Sequence, residues 1–216
     1  MSKVRVNCFS ISLDGFGAGP DQTVQNPLGV GGEQLHEWFF PTRTFQKTVM
    51  GEDRGATGPD DEFAVRSFEN VGAWIMGRNM FGPVRGAWPN EEWKGWWGDN
   101  PPYHCDVFVL THHPRKSFEM EGGTVFHFVT EGIHAALDKA RVSAKGKDVR
   151  IGGGSSAIRQ YLQAGLVDEM HLAVSPILLG KGEPLLDGID LTALGFDRAD
   201  YTPTARAAHY VLTKKR

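Results

Sequence analysis

The run Val149-Arg150-Ile151-Gly152-Gly153-Gly154-Ser155-Ser156 has the residue types best suited to holding a ligand. An apolar strand ends, three glycines turn the chain, and a helix opens with serines. Glycines let a ligand come close to the backbone. A helix start presents unpaired N–H groups and partial positive charge, which suit a phosphate or pyrophosphate. Ser155 or Ser156 can cap that helix or donate to the phosphate. The plain alternative is a tight strand-to-helix turn that holds nothing. The spacing is neither G-x-G-x-x-G nor a Walker loop, so no signature names the ligand.

Two further apolar runs end in the same way. Ala73-Trp74-Ile75-Met76 delivers Gly77-Arg78-Asn79, and an arginine there can hold a phosphate with two bonds or simply pair with a nearby carboxylate. Residues 107–110 deliver Thr111-His112-His113. Adjacent histidines point in different directions and chelate poorly, so no metal site is expected. Thr111 and His112 suit phosphate contact instead. In open α/β sheets, ligands bind beyond the carboxyl ends of the strands. A ligand with several phosphates, such as a dinucleotide, would use all three strand ends.

The rest of the chain must position these ends. Residues 4–13 read as a strand with apolar residues on both faces, hence covered on both sides. Further strands are expected at 73–76, 107–110, 125–129, 148–151, around Met170-His171-Leu172-Ala173-Val174, and at 210–213. Helices are expected at 62–70, at 132–143 from Ile133, Ala136, Leu137 and Ala140, and at 155–164 from Ile158, Tyr161 and Leu162. A short helical piece is expected within 35–45. Strands that alternate with helices imply parallel β-α-β units in a three-layer α/β domain. Two long loops, 15–61 and 82–103, carry Gly, Pro and Trp. They are too aromatic to be free linkers, so the span 1–216 reads as one domain.

Composition narrows the function. The chain has 216 residues and a formal net charge of −3, which gives no electrostatic footprint for nucleic acid. Two cysteines, Cys8 and Cys105, cannot build a disulfide framework or a Cys-rich zinc site. No apolar stretch is long enough to span a bilayer and no secretory leader is visible, so a cytoplasmic protein without membrane contact is expected. Glycine is in excess, at 27 residues, against an ordinary share of about 7%.

The ordered motifs resemble the dihydrofolate reductase-like superfamily, and most of all the reductase domain of riboflavin-biosynthesis deaminase-reductases and its stand-alone relatives. The resemblance rests on Ser12-Leu13-Asp14-Gly15, Ile75-Met76-Gly77-Arg78, Val109-Leu110-Thr111 and Ile151-Gly152-Gly153-Gly154. Its most specific part is Gly165-Leu166-Val167-Asp168-Glu169-Met170-His171-Leu172 followed by Pro176-Ile177-Leu178-Leu179-Gly180-Lys181-Gly182. It implies a three-layer α/β/α fold with a mostly parallel sheet of about eight strands and an antiparallel C-terminal edge. It implies NADPH as cofactor and a homodimer. Carried over, Ile151, Gly153, Gly154, Ser155 and Ser156 would lie along the pyrophosphate. Gly77, Arg78 and Asn79 would approach the pyrophosphate and the adenosine phosphate, and Thr111 and His112 the 2′-phosphate.

The resemblance has departures. No P-C-x-x-C zinc motif is present, so no deaminase half is expected within these residues. The acidic residue on the first helix of dihydrofolate reductases has no counterpart here. The expected activity is therefore hydride transfer from NADPH to a small planar heterocycle, pterin-, folate- or pyrimidine-like. The alternatives are a true dihydrofolate or riboflavin-pathway pyrimidine reductase, and a nucleotide-binding protein that has lost catalysis. Asp14 is the candidate catalytic and substrate-orienting residue, or else a turn-former bonded to its own backbone. Trp38 and Trp97 are the candidate stacking wall for a planar substrate. Asp168 and Glu169 read as a solvated pair at a helix end.

Overall fold

The computed structural model describes residues 2–82 and 85–215, so Met1, Arg216 and residues 83 and 84 of the second long loop lie outside the described residues. Strand β1 (Val4–Ser12) lies inside the sheet, parallel to β6 (Asp148–Gly153) on one side and β7 (Glu169–Ser175) on the other. Both its faces are covered, as its apolar residues require: Val4, Val6 and Ile11 are buried, and so are Asn7, Ser10 and Ser12. Strands β2 (Val71–Gly77), β3 (Asp106–Leu110) and β5 (Val125–Val129) continue the parallel part beyond β6.

The edges are antiparallel. The two-residue β4 (Phe118–Glu119) pairs with β5 at one end. At the other, β9 (Ala208–Lys214) pairs with β7 and with the outermost β8 (Phe196–Pro203). Among the described residues the order is β4-β5-β3-β2-β6-β1-β7-β9-β8, a sheet of nine strands where about eight were expected. Strand β8 has no apolar alternation. Asp197, Arg198 and Asp200 leave it almost wholly exposed, as befits an edge.

One face of the sheet is covered by α4 (Ile133–Ala144) and α5 (Ser155–Gln163). Ala136, Leu137 and Ala140 of α4 and Ile158, Tyr161 and Leu162 of α5 pack on Val4, Val6, Ile75, Val149 and Ile151. Fully burying a side chain of this size contributes about 1.5–3 kcal/mol. Helix α5 ends where Gly165 takes a left-handed φ of 66°, so that Leu166 N donates back to the Tyr161 carbonyl.

The other face is covered by the loops, which are structured. The expected helix within 35–45 divides into a 3-10 turn at Gly32–His36 and α1 (Arg43–Thr48), with Pro41 between them. Thr42 caps α1, its Oγ1 accepting from Phe45 N at 3.1 Å. Helix α2 (Pro59–Arg66) starts earlier than the expected 62–70, because Pro59 opens it and Asp60, Asp61 and Glu62 fill its first turn. On this face Trp74, Met76, Phe81, Tyr103 and Phe126 make a second apolar cluster, with Trp88, Trp93 and Trp97 packed against it. A short helix, α3 (Arg78–Phe81), follows β2 directly. Among the described residues no helix is long and apolar enough to cross a membrane.

Candidate active site

Strands β3, β2 and β6 are neighbours, with Gly77 opposite Leu110 and Met76 opposite Gly153. The three strand ends therefore come out side by side. They border a cleft of about 700 Å³. Gly77, Arg78 and Asn79 line it from the end of β2, and Thr111 and His112 from the end of β3. Gly154, Ser155 and Ser156 line it from the start of α5.

Ile151 and Gly153 do not line the cleft. Successive residues of a strand point to opposite faces. Ile151 is fully buried in the core beneath α4 and α5, while its neighbours Arg150 and Gly152 face the cleft. Gly153 has φ 132°, and a Cβ there would stand 3.0 Å from the Phe9 ring. It shapes the turn and makes no cleft surface. A Cβ on Gly154 would meet nothing within 4 Å, so the backbone at the helix start stands open.

No side chain caps α5. Ser155, expected to cap the helix or meet a phosphate, instead donates from Oγ to the Glu183 carbonyl at 3.1 Å and is buried. Ser156 is exposed on the first turn. Arg78 lies over the Trp88 ring, its guanidinium carbon 3.0 Å from the ring centroid. Its Nη1 reaches Thr111 Oγ1 and the Gly86 carbonyl at 3.4 Å. Its Nε and Nη2 are shielded and have no partner among the described residues. Burial and the nearby Arg115 lower its pKa to about 10, so it stays charged at neutral pH. Thr111 is held by the turn it makes, Oγ1 accepting from His113 N at 3.1 Å. An uncapped helix start, an open Gly154 and a guanidinium with unused donors fit the phosphates of a nucleotide.

The substrate-side candidates divide. Trp97 lines the cleft, edge-on to Tyr103 at 5.1 Å. Trp38 does not. It is 1% exposed, and its indole N–H donates to Ser10 Oγ at 2.9 Å. Its ring packs edge-on against His209 at 4.9 Å. A buried indole needs a partner for its N–H, and Ser10 supplies one. Trp38 is therefore core, touching the cleft only through Ser10, which lines it.

Asp14 is likewise outside the cleft lining. Its carboxylate accepts from Ser12 Oγ at 2.5 Å, Gly180 N at 2.6 Å and Leu179 N at 3.1 Å. The Ser12 bond first, and then those amides, hold it below the usual carboxylate range. Asp14 is thus an ionised clamp on the loop after β7, which is the wrong state for a proton donor at neutral pH.

Several cleft residues were not singled out from the sequence, Trp74 and Arg150 among them although they stand within motif strands: Cys8, Phe68, Trp74, Tyr103 and Arg150. One signal was available for Arg150. It is a charge in the middle of the apolar strand Val149-Arg150-Ile151, where a buried cation needs a reason. Among the described residues no cluster of His, Cys, Asp and Glu is placed to hold a metal ion.

A mostly parallel sheet covered on both faces, with a cleft across adjacent strand ends, defines the class of α/β proteins whose ligands bind beyond the carboxyl ends of the strands. Within that class, residues 3–209 match the RibD C-terminal domain, and the chain belongs to that family. It is similar to the uncharacterized protein YyaP of Bacillus subtilis (strain 168), with 38% identity over 93 residues, covering 40% of this chain and 48% of that one. A second relative from the same organism, YwjB, is 27% identical over 119 residues, 55% of this chain and 60% of the relative. The match thus spans about half the length of these relatives. The structure is similar to one described as a "putative riboflavin biosynthesis protein" of Shewanella sp. PV-4, with a TM-score of 0.62, 22% identity and full coverage of both chains.

Proposed function

We propose that this protein is an NADPH-dependent reductase that transfers a hydride to a small planar heterocycle of the pterin, folate or pyrimidine kind. The observation that carries the reading is the meeting of three strand ends at one cleft, where Arg78 keeps unused donors beside the uncapped start of α5. Membership of the RibD C-terminal domain family supports it.

NADPH, when bound, supplies the hydride. The α5 start and Gly154 would hold its pyrophosphate. Arg78, fixed on Trp88 and steadied by Thr111, would meet an anionic phosphate. The aromatic walls formed by Trp74, Trp97 and Phe68 would stack a planar ring and keep water off it.

The test is thermal melting with each cofactor, followed by assay of cofactor oxidation. NADPH should raise Tm by mass action, and NADH less. Oxidation of NADPH with at least one pterin, folate or aminopyrimidine is the expected result. Absence of a shift with either cofactor would overturn the reading. NADPH binding without oxidation over that panel would favour a nucleotide-binding protein without catalysis.

A further inference from the structure

Trp74 of β2 carries two polar side chains that the proposed cofactor contacts leave unused. The Arg150 guanidinium lies over its ring, 4.0 Å from the centroid. The Tyr103 ring packs against it edge-on at 4.8 Å. All three residues line the cleft.

Arg150 and Tyr103 are only 7% and 8% exposed. Arg150 donates from Nη1 to the Ser67 carbonyl at 2.7 Å and from Nη2 to the Asn7 carbonyl at 2.9 Å. Its Nε has no partner among the described residues, and neither has the Tyr103 hydroxyl. A buried cation is normally matched by a carboxylate. The titratable groups that act on Arg150 are Cys8, Tyr103 and Arg5. Burial pushes the Cys8 thiol and the Tyr103 phenol up, so both are neutral at neutral pH. Arg150 therefore presents an unbalanced positive charge at an aromatic wall.

We propose that Arg150 and Tyr103 form the polar end of the substrate pocket and select a planar ligand that carries an anionic oxygen, an enolate or a carboxylate. Calling that ligand the substrate rests on the reductase reading; the preference for an anion stands on the wall itself. The two carbonyls fix the guanidinium, and Trp74 holds its plane. Phe68 and Trp97 supply apolar surface beside it. The unpaired donors are shielded from solvent at this end of the cleft, and a swing of the Tyr103 side chain about its Cα–Cβ bond would turn its hydroxyl toward the ligand. A neutral isostere would leave both donors unpaired.

The test compares quinoline-2-carboxylate with quinoline-2-carboxamide by calorimetric titration, with and without saturating NADPH. The wild type should bind the acid about tenfold or more tightly than the amide, as a charge-assisted bond implies. Arg150→Met should abolish the preference, and Arg150→Lys should keep part of it. Tyr103→Phe should weaken the acid severalfold and leave the amide unchanged. If Arg150→Met fails to fold, the wild-type ratio decides. Equal affinities in the wild type, binding of neither compound at millimolar concentration, or a preference that survives in folded Arg150→Met would overturn the proposal. NADPH binding in the same samples separates the two readings. Intact NADPH binding without acid preference overturns only the Arg150–Tyr103 pocket. Acid preference without NADPH binding overturns only the reductase reading.

Discussion

His171 Nε2 lies 2.9 Å from His209 Nδ1, in a site closed to solvent. Cys8 N donates to His171 Nδ1 at 3.1 Å, which leaves Nε2 of His171 to carry the hydrogen toward His209. His209 in turn donates from Nε2 to Asp60 at 2.8 Å. Each ring has one donor and one acceptor in use, so a further proton breaks the chain. Burial first, and then repulsion from His209 and Arg150, lowers the His171 pKa from 6.5 to about 3.

Stability should therefore fall with acid. A neutral buried histidine stabilises the fold fully above pH 6.5, and the effect is lost progressively as pH falls toward 3. One excluded proton is worth about 1.4 kcal/mol per pH unit in that window. His171→Gln should be less stable at neutral pH but show a pH slope shallower by about one proton. Thermal melts across the window check this, and an unchanged slope would contradict it.

Arg78 rests on Trp88, and both side chains should matter to the cofactor. Arg78→Ala should weaken NADPH about tenfold or more, and NADH less, because a charged bond to phosphate is lost. Trp88→Ala should give a smaller loss in the same direction, since a cation–π contact is worth about 0.5–2 kcal/mol. Direct titration with both cofactors measures this. Equal losses for NADPH and NADH in Arg78→Ala would remove the 2′-phosphate role.

Asp14→Asn should leave turnover within about twofold, as a group outside the lining has no part in the chemistry. Its effect belongs to stability. Asp14 is held ionised by Ser12, so it stabilises the fold above the ordinary carboxylate pKa, and that support is lost as pH falls below it. Asp14→Asn should remove that part of the acid dependence. A large loss of turnover at unchanged Tm would return Asp14 to the site.

Trp38→Phe should lower Tm without changing NADPH affinity. It leaves the Ser10 hydroxyl without its indole donor, at a cost of about 1–3 kcal/mol. In a chain of this size that is about 2–4 °C per kcal/mol. A raised KM at constant Tm would instead put Trp38 in contact with substrate.

The sequence revealed the sheet and the strand ends that border the cleft because both depend on local patterns. Gly77 and Gly152-Gly153-Gly154 mark strand ends, and Ile158, Tyr161 and Leu162 mark the inner face of α5. The candidates that fall outside the cleft lining are those decided by distant partners. Asp14 is answered by amides of Leu179 and Gly180, about 165 positions away, and Trp38 by Ser10 and His209. Strand alternation already separated Ile151 from Arg150, but motif adjacency placed Ile151 in the site. Strand β8 was missed because an exposed edge needs no apolar period.

The most direct test of the proposed cofactor site is an NADPH titration of the wild type beside Ser156→Asp. Ser156 is exposed on the first turn of α5 and lines the cleft. An aspartate there suits the helix dipole, so the fold should be unharmed. The same charge would face the phosphates. Saturable NADPH binding is expected in the wild type, and at least tenfold weaker binding in Ser156→Asp at equal or higher Tm. No binding by the wild type, or equal affinity in the variant, would contradict it.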